Sequence, residues 1–228
     1  MGFAALLYIG QTPRPDVTEE LVSALPEGTE VREYGMLDGL TPSELESLTP
    51  LPGEARLVTR LADGRTVAVA EARLFPLAAR CVRLAERDDP SVCILMCTGA
   101  FPPLPHRVPL RAAHDLLHGD PALLTRREEL GVILPHPAQL EQAEAWWGGG
   151  LLPGRAAFAS PYEDGQALES AARKLRQAGA KLLVLDCMGY TLAQGRLAAK
   201  AAGLLVTLPR QKVIDALRLM SGAIIQEG

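Results

Sequence analysis

The chain is poor in aromatic residues, which make up 4% of its 228 positions, so its interior has to be largely aliphatic. It also lacks any block of lysine or arginine. Its 23 basic residues stand against 27 acidic ones, for a formal net charge of −4. A nucleic-acid surface needs clustered cations to neutralise phosphates, and this composition argues against one. The arginines between 56 and 87 are interleaved with glutamates and aliphatics, as on a solvated helix face. No apolar run is long enough to span a bilayer. The N-terminal MGFAALLYIGQTPRP holds about seven apolar residues and no basic n-region, so it reads as a buried strand. Leu6 stands where a myristoylation signal needs serine or threonine. The expectation is a cytoplasmic protein with no nucleic-acid or membrane partner.

Several chemical signatures are missing as well. There is no GxGxxG, no Walker A loop and no GxSxG elbow, which removes the local support for nucleotide binding and serine hydrolysis. The four cysteines, Cys81, Cys93, Cys97 and Cys187, form no CxxC pair. Cys93 and Cys97 lie four residues apart on one extended run, roughly 13 Å, which is too far for a disulfide. Cys81 shares helical spacing with Leu74, Leu77, Ala78 and Leu84 and reads as core. His114 and His118 form HDLLH, but no HExxH glutamate and no third ligand accompany them. No metal and no cofactor are expected.

What is present is an alternation of short aliphatic runs with helical patterns. Strands are predicted at 3–10, 29–35, 91–97, 129–136, 154–160, 181–187 and 204–209. Helices are predicted near 16–25 and at 41–48, 71–87, 137–147, 164–179, 191–203 and 210–222. Thr41, Pro42 and Glu44 make a helix start signal. In 55–70, two β-rich runs flank Asp63-Gly64, which predicts an antiparallel hairpin. Buried strands alternating with helices imply parallel sheets. The predicted fold class is α/β, with two pseudo-symmetric lobes, each a mostly parallel sheet flanked by helices, and an inserted β-hairpin in the first. The first lobe would cover 1–105, with a C-terminal helix at 210–228 packing back on it. The second would cover 106–209.

Two aliphatic runs end alike: VCILMCTGAF (92–101) and LLVLDCMGYT (182–191) each close on cysteine with glycine two residues later. Parallel sheets bind ligands beyond the carboxyl ends of their strands. Cys97 and Cys187 both fall there, and in pseudo-symmetric lobes they would face one another across a cleft. A lone cysteine is commonly a small buried hydrophobe. The matched positions are what favour a thiol pair, one taking a proton and the other delivering one. Around them, Thr98, Gly99, Gly189, Tyr190 and Thr191 are candidates to hold substrate oxygens, with a simple helix N-cap as the plainer role of Thr191. In GQTPRPDV (10–17), Gln11, Thr12 and Arg14 offer hydrogen bonds and a carboxylate clamp, or else a rigid turn with an exposed arginine. Asp186, directly before Cys187, could orient a partner or raise the pKa of that thiol. His106 and His136 could reach the same cleft. Trp146-Trp147, ahead of three glycines, reads as core packing before a lid.

IGQTPRPDV, LMCTGAF and LDCMGYT together resemble the AroM family over most of the chain. The resemblance implies kinship with the aspartate/glutamate racemase superfamily, a fold of two pseudo-symmetric α/β lobes that includes amino-acid and hydantoin racemases, maleate isomerase and arylmalonate decarboxylase. It implies that Cys97 and Cys187 match the two catalytic cysteine positions. The amino-acid racemases typically carry Cys-Asn-Thr and Gly-Cys-Thr-His at the thiols. This chain has Cys97-Thr98-Gly99 and Asp186-Cys187-Met188-Gly189, and Gly10-Gln11-Thr12-Pro13 in place of their Asp-Ser-Gly loop. A substrate other than aspartate or glutamate is therefore expected. The expectation is a cofactor-independent racemase or isomerase moving a proton next to the carbonyl of a small carboxylate or amide, with decarboxylation as a variant. The alternative is a small-molecule-binding or regulatory protein without turnover. A homodimer is the assembly considered.

Overall fold

The structure, a computed structural model, describes residues 2–226. The chain divides into two compact units. One runs from the N-terminus to Ala113 and takes in the chain from Leu217 onward, and the other is His114–Ala216.

The first unit is built from β1 (Ala4–Tyr8), α1 (Pro15–Ala24), β2 (Val31–Gly35), α2 (Pro42–Ser47), β3 (Arg56–Arg60), β4 (Thr66–Ala70), α3 (Glu71–Ala85), β5 (Val92–Met96) and β6 (Leu110–Ala112). The strand order is β2-β1-β5-β6, and every pairing is parallel. β1 and β5 are buried at every position, as strands covered on both faces must be, which is why they read as unbroken apolar runs. β3 and β4 form the separate antiparallel hairpin. Its loop is longer than the Asp63-Gly64 signal alone suggests. Gly64 N–H donates to Leu61 O at 2.9 Å with Gly64 at φ +84°, a turn conformation that glycine adopts without strain. α2 starts on the expected capping box, Thr41 with Glu44. β6 was not predicted, because three residues set among Pro102, Pro103, Pro105 and Pro109 carry no period.

The second unit holds α4 (Ala113–His118), α5 (Pro121–Leu124), β7 (Leu130–Leu134), α6 (Ala143–Trp146), β8 (Ala156–Phe158), α7 (Gly165–Gln177), β9 (Leu182–Leu185), α8 (Leu192–Ala202) and β10 (Leu205–Thr207). α9 (Pro209–Gln226) begins here and ends in the first unit, where Arg218 Nε donates to Ala24 O at 2.8 Å. The helix expected over 137–147 is instead a 3₁₀ segment (Pro137–Gln142) followed by the short α6. Apolar spacing does not separate those two windings. The sheet order is β10-β9-β7-β8, again all parallel. Counted within each unit, with the hairpin set aside, both sheets read 2-1-3-4. The pseudo-symmetry is thus one of connectivity, and each unit keeps its topological switch point between its first and third strands.

Side chains alternate across these sheets. In the first unit Ala5, Leu7, Cys93 and Leu95 face a core shared with the hairpin and α3, including Leu57, Val69, Leu74, Ala78 and Cys81. In the second, Ile133, Leu183 and Leu185 pack with α7 and α8, while Val132, Leu134, Leu182 and Val184 pack with Leu117, Trp147 and Leu151 on the other face.

Burial pushes the Cys81 thiol up to about 12 and that of Cys93 up to about 11. Both stay protonated in the folded state where an unfolded thiol, near 8.5, would already ionise. Their contribution to stability is intact below about pH 8.5 and is lost as pH rises from there toward 11 for Cys93 and toward 12 for Cys81. Denaturant titrations should show stability falling by about 2 kcal/mol for Cys93 alone between pH 8 and 10, and Cys93→Ala should flatten that slope.

Candidate functional site

In the first unit, Tyr8 pairs with Met96 at the end of the β1–β5 ladder. The next residues, Ile9 and Cys97, therefore leave the sheet side by side at its switch point. Cys97 continues the Cys93–Leu95 face and is 5% exposed. Its Sγ accepts the backbone N–H of Gly99 at 3.3 Å. A side chain at position 99 would have no room, since an added Cβ would lie 2.7 and 2.9 Å from the methyls of Leu57. Thr98 is half-buried between them.

The loop after β1 was expected to offer its side chains to a ligand. Instead those side chains hold the loop. Gln11 Nε2 donates to Leu37 O at 3.3 Å, and its Oε1 accepts Ala62 N–H at 2.9 Å. Thr12 donates from its backbone N–H (2.8 Å) and its hydroxyl (2.6 Å) to the Asp38 carboxylate, which also accepts Gly35 N–H at 2.9 Å. Arg14 is buried rather than exposed, at 6%. Its guanidinium forks onto Asp16 at 2.8 and 2.9 Å, and its backbone N–H donates to Glu33 Oε2 at 2.8 Å. Gly10 permits the close approach of the hairpin, because an added Cβ would strike Arg60 O and Thr59 Oγ1. Sequence reasoning missed Asp38 and Glu33. Their partners in the loop, Thr12 and Arg14, lie 26 and 19 residues away, with no local spacing to mark them.

In the second unit the ladder runs one residue past β9, through Asp186 N–H to Ile133 O at 2.9 Å. Alternation then sends Asp186 and Cys187 to opposite faces. Cys187 is half-buried against the α7–α8 core. Its Sγ accepts the Gly189 N–H at 3.3 Å, the same bond at the same length as in the first unit. An added Cβ at Gly189 would lie 2.8 Å from Pro161 Cγ and from Tyr162 Oη. Both glycine N–H groups, expected to face a substrate oxygen, thus face the thiols. Hydrogen bonds from N–H groups favour the thiolate. Tyr190 is wholly buried with its hydroxyl donating to Ala159 O. Thr191 is the N-cap of α8, in a reciprocal capping box with Gln194. A residue the sequence did not mark braces the same loop. Arg210, 0% exposed at the start of α9, donates from Nη2 to Met188 O at 2.8 Å and to Gly189 O at 3.3 Å.

Asp186 turns to the opposite face. There its Oδ2 accepts the Trp147 indole N–H at 3.0 Å and lies 3.3 Å from His118 Nε2. His118 is sandwiched between His114 and Trp147, with ring centroids at 4.4 and 4.2 Å. Trp147 is therefore core, as its sequence context suggested. His136 caps the 3₁₀ segment through Nδ1 to Ala138 N–H, and His106 Nδ1 lies 3.0 Å from Val108 O. Among the described residues no group of three or more His, Cys, Asp or Glu is arranged to hold a metal ion, and no helix is long and apolar enough to cross a membrane. Two surface cavities of about 420 and 330 Å³ lie near the end of α3. They are lined by Arg83 and Arg87 with, respectively, Arg107 and Arg80, and neither includes a thiol.

Two α/β units of one strand order, each closing its third strand on a thiol bonded by a glycine N–H, define a two-lobed α/β protein of racemase-like fold. The chain belongs to the AroM protein family, whose model matches residues 4–220. No curated protein matches its sequence. Solved structures of a decarboxylase, a racemase and an isomerase share its fold. The maleate cis-trans isomerase of Nocardia farcinica, captured in a cysteine-to-serine mutant with a covalently bound succinylcysteine intermediate, is 15% identical, with TM-score 0.59 over 96% of this chain and 93% of that one. Unliganded arylmalonate decarboxylase is 12% identical, with TM-score 0.57 over 96% and 92%. The aspartate racemase of Picrophilus torridus is 12% identical, with TM-score 0.52 over 97% and 95%.

The Asp38 carboxylate carries three donors that set the loop after β1. Asp38→Ala should destabilise the protein by about 2–3 kcal/mol in denaturant unfolding, and Asp38→Asn, which keeps part of the acceptor capacity, by less.

Proposed function

We propose that the protein is a cofactor-independent racemase or isomerase that moves a proton at a carbon next to the carbonyl of a small carboxylate or amide. The observation that carries this reading is the duplicated thiol. Cys97 and Cys187 stand at equivalent strand ends of two equally connected sheets, and each accepts the N–H of the glycine two residues on at 3.3 Å. Cys81 and Cys93 lie within α3 and β5 and close no strand. Cys81 and Cys93, which are core, are held as thiols by burial. The activities named for the structural neighbours, isomerisation, decarboxylation and racemisation, support the same chemistry.

In this mechanism one cysteine acts as thiolate and removes the proton, becoming a thiol. The other starts as a thiol, returns a proton to the opposite face of the carbon and becomes the thiolate. The two protonation states are exchanged in each turnover, and the reverse reaction restores them. The electron pair left on carbon delocalises into the adjacent carbonyl. Thr98, beside Cys97, holds a substrate oxygen. Gln11, Thr12 and Arg14 shape the loop beside Cys97, as their intrachain bonds allow. A reducing cytoplasm keeps both cysteines reduced, as this chemistry requires.

Proton exchange followed by NMR in deuterated water tests the reading, using a panel of amino acids, hydantoins, hydroxy acids and dicarboxylates. The expected result is α-proton exchange with one class, falling by at least about 100-fold in Cys97→Ser and in Cys187→Ser. Binding without exchange for every panel member would overturn it in favour of a ligand-binding protein.

A further inference from the structure

Arg210 has no place in the proton transfer itself, yet it is one of the largest fully buried side chains, and it is charged. Its acceptors give it a role. The carbonyl of Met188 and the N–H of Gly189 belong to one peptide group. Arg210 Nη2 donates to that carbonyl at 2.8 Å, while the N–H at the other end of the same amide donates to Cys187 Sγ at 3.3 Å. A cation on a carbonyl oxygen draws electron density along the amide and strengthens its N–H as a donor, and hydrogen bonds in series polarise one another most where solvent is excluded. The second bond, to Gly189 O at 3.3 Å, fixes the following peptide and hence the aim of that N–H. We infer that Arg210 is a positioning residue that acts on Cys187 through the Met188–Gly189 peptide, holding that amide onto the sulfur and favouring the thiolate.

The arrangement is built into this unit by its fold. The loop is closed from behind by Pro161 and Tyr162, which leave no space for a side chain at Gly189. Tyr190 is anchored on Ala159 and Thr191 starts α8, so the peptide cannot swing away from the guanidinium without breaking both. Arg210 enters from Pro209 and the start of α9, more than twenty residues downstream. In the first unit the space that a Cβ at Gly99 would need is taken by Leu57. The inference rests on the proton-transfer reading only for the importance of Cys187, and its test reads the thiol and not turnover.

Alkylation of Cys187 by iodoacetamide, followed by peptide mass spectrometry from pH 5 to 10, gives the midpoint of its ionisation. In the unaltered protein the midpoint should lie below the ordinary thiol value of about 8.5. In Arg210→Met it should rise by about one pH unit, so that alkylation at pH 7 slows roughly tenfold. Arg210→Lys, which keeps a cation but not the planar fork, should fall between. Leu208→Ala, a core truncation just ahead of the same helix, should weaken the fold and leave the midpoint in place. A midpoint at or above 8.5 in the unaltered protein, an unchanged midpoint in Arg210→Met, or an equal shift in Leu208→Ala would each overturn the inference. Should Arg210→Met fail to fold, NMR of the unaltered protein decides. The Gly189 amide and Arg210 guanidinium resonances should titrate with Cys187, and guanidinium resonances indifferent to that titration would refute the relay. Loss of the shift with exchange activity intact would dispose of the relay alone. A shift without any exchange activity would dispose of the enzymatic reading alone.

Discussion

The pairing of two strands buried on both faces, β1 with β5 and β7 with β9, is the constraint on which the rest of the molecule depends. Strands in that position can carry almost nothing polar, and their backbone groups are satisfied by the strands paired on either side. Polar chemistry has to begin where the ladder stops. Because the pair is parallel and in register, both strands stop together, and the loops that leave them emerge at one edge. Cys97 and Cys187 are the first side chains beyond that limit on the face that each strand presents to its core. Their position is therefore a consequence of pairing.

The segments around the two thiols are made rigid by different means. The first unit commits side chains from three segments to the loop after β1, with Asp38 and Glu33 as acceptors and the hairpin packed against Gly10. The second uses a buried cation and a capping box. In both, the glycine two residues after the cysteine turns its N–H onto the sulfur, and neighbouring side chains occupy the space that a Cβ would need. Alternation along β9 separates the neighbours Asp186 and Cys187. The carboxylate goes to Trp147 and His118 on one face and the thiol to the other. An acid directly before a thiol in sequence is thus not its neighbour across the sheet.

Much of this was legible. Unbroken runs such as AALLY and VCILM announced double-sided burial, Thr41 with Glu44 announced a helix start, and Asp63-Gly64 announced a hairpin. Cys-x-Gly at two strand ends marked the candidate site, because a residue type, a spacing and a strand boundary coincided. Other parts carried no local signal. β6 is three residues among prolines, and 137–147 has helical spacing but begins as 3₁₀. Gln11, Thr12 and Arg14 look like ligand-binding side chains in sequence, and only the folded chain brings Leu37, Ala62, Asp38 and Glu33 to meet them.

By itself, then, the sequence determined what depends on neighbours along the chain: which runs are buried, where helices begin, and that two thiols close two matched strands. The tertiary structure decided what depends on contacts across the chain. It chose which donors are already occupied, which face Asp186 takes, and that Arg210 stands behind the Met188–Gly189 peptide. The division has a physical cause. Periodicity and capping act within a few residues, whereas a hydrogen bond between residues 188 and 210 exists only after the intervening helix and strand have packed.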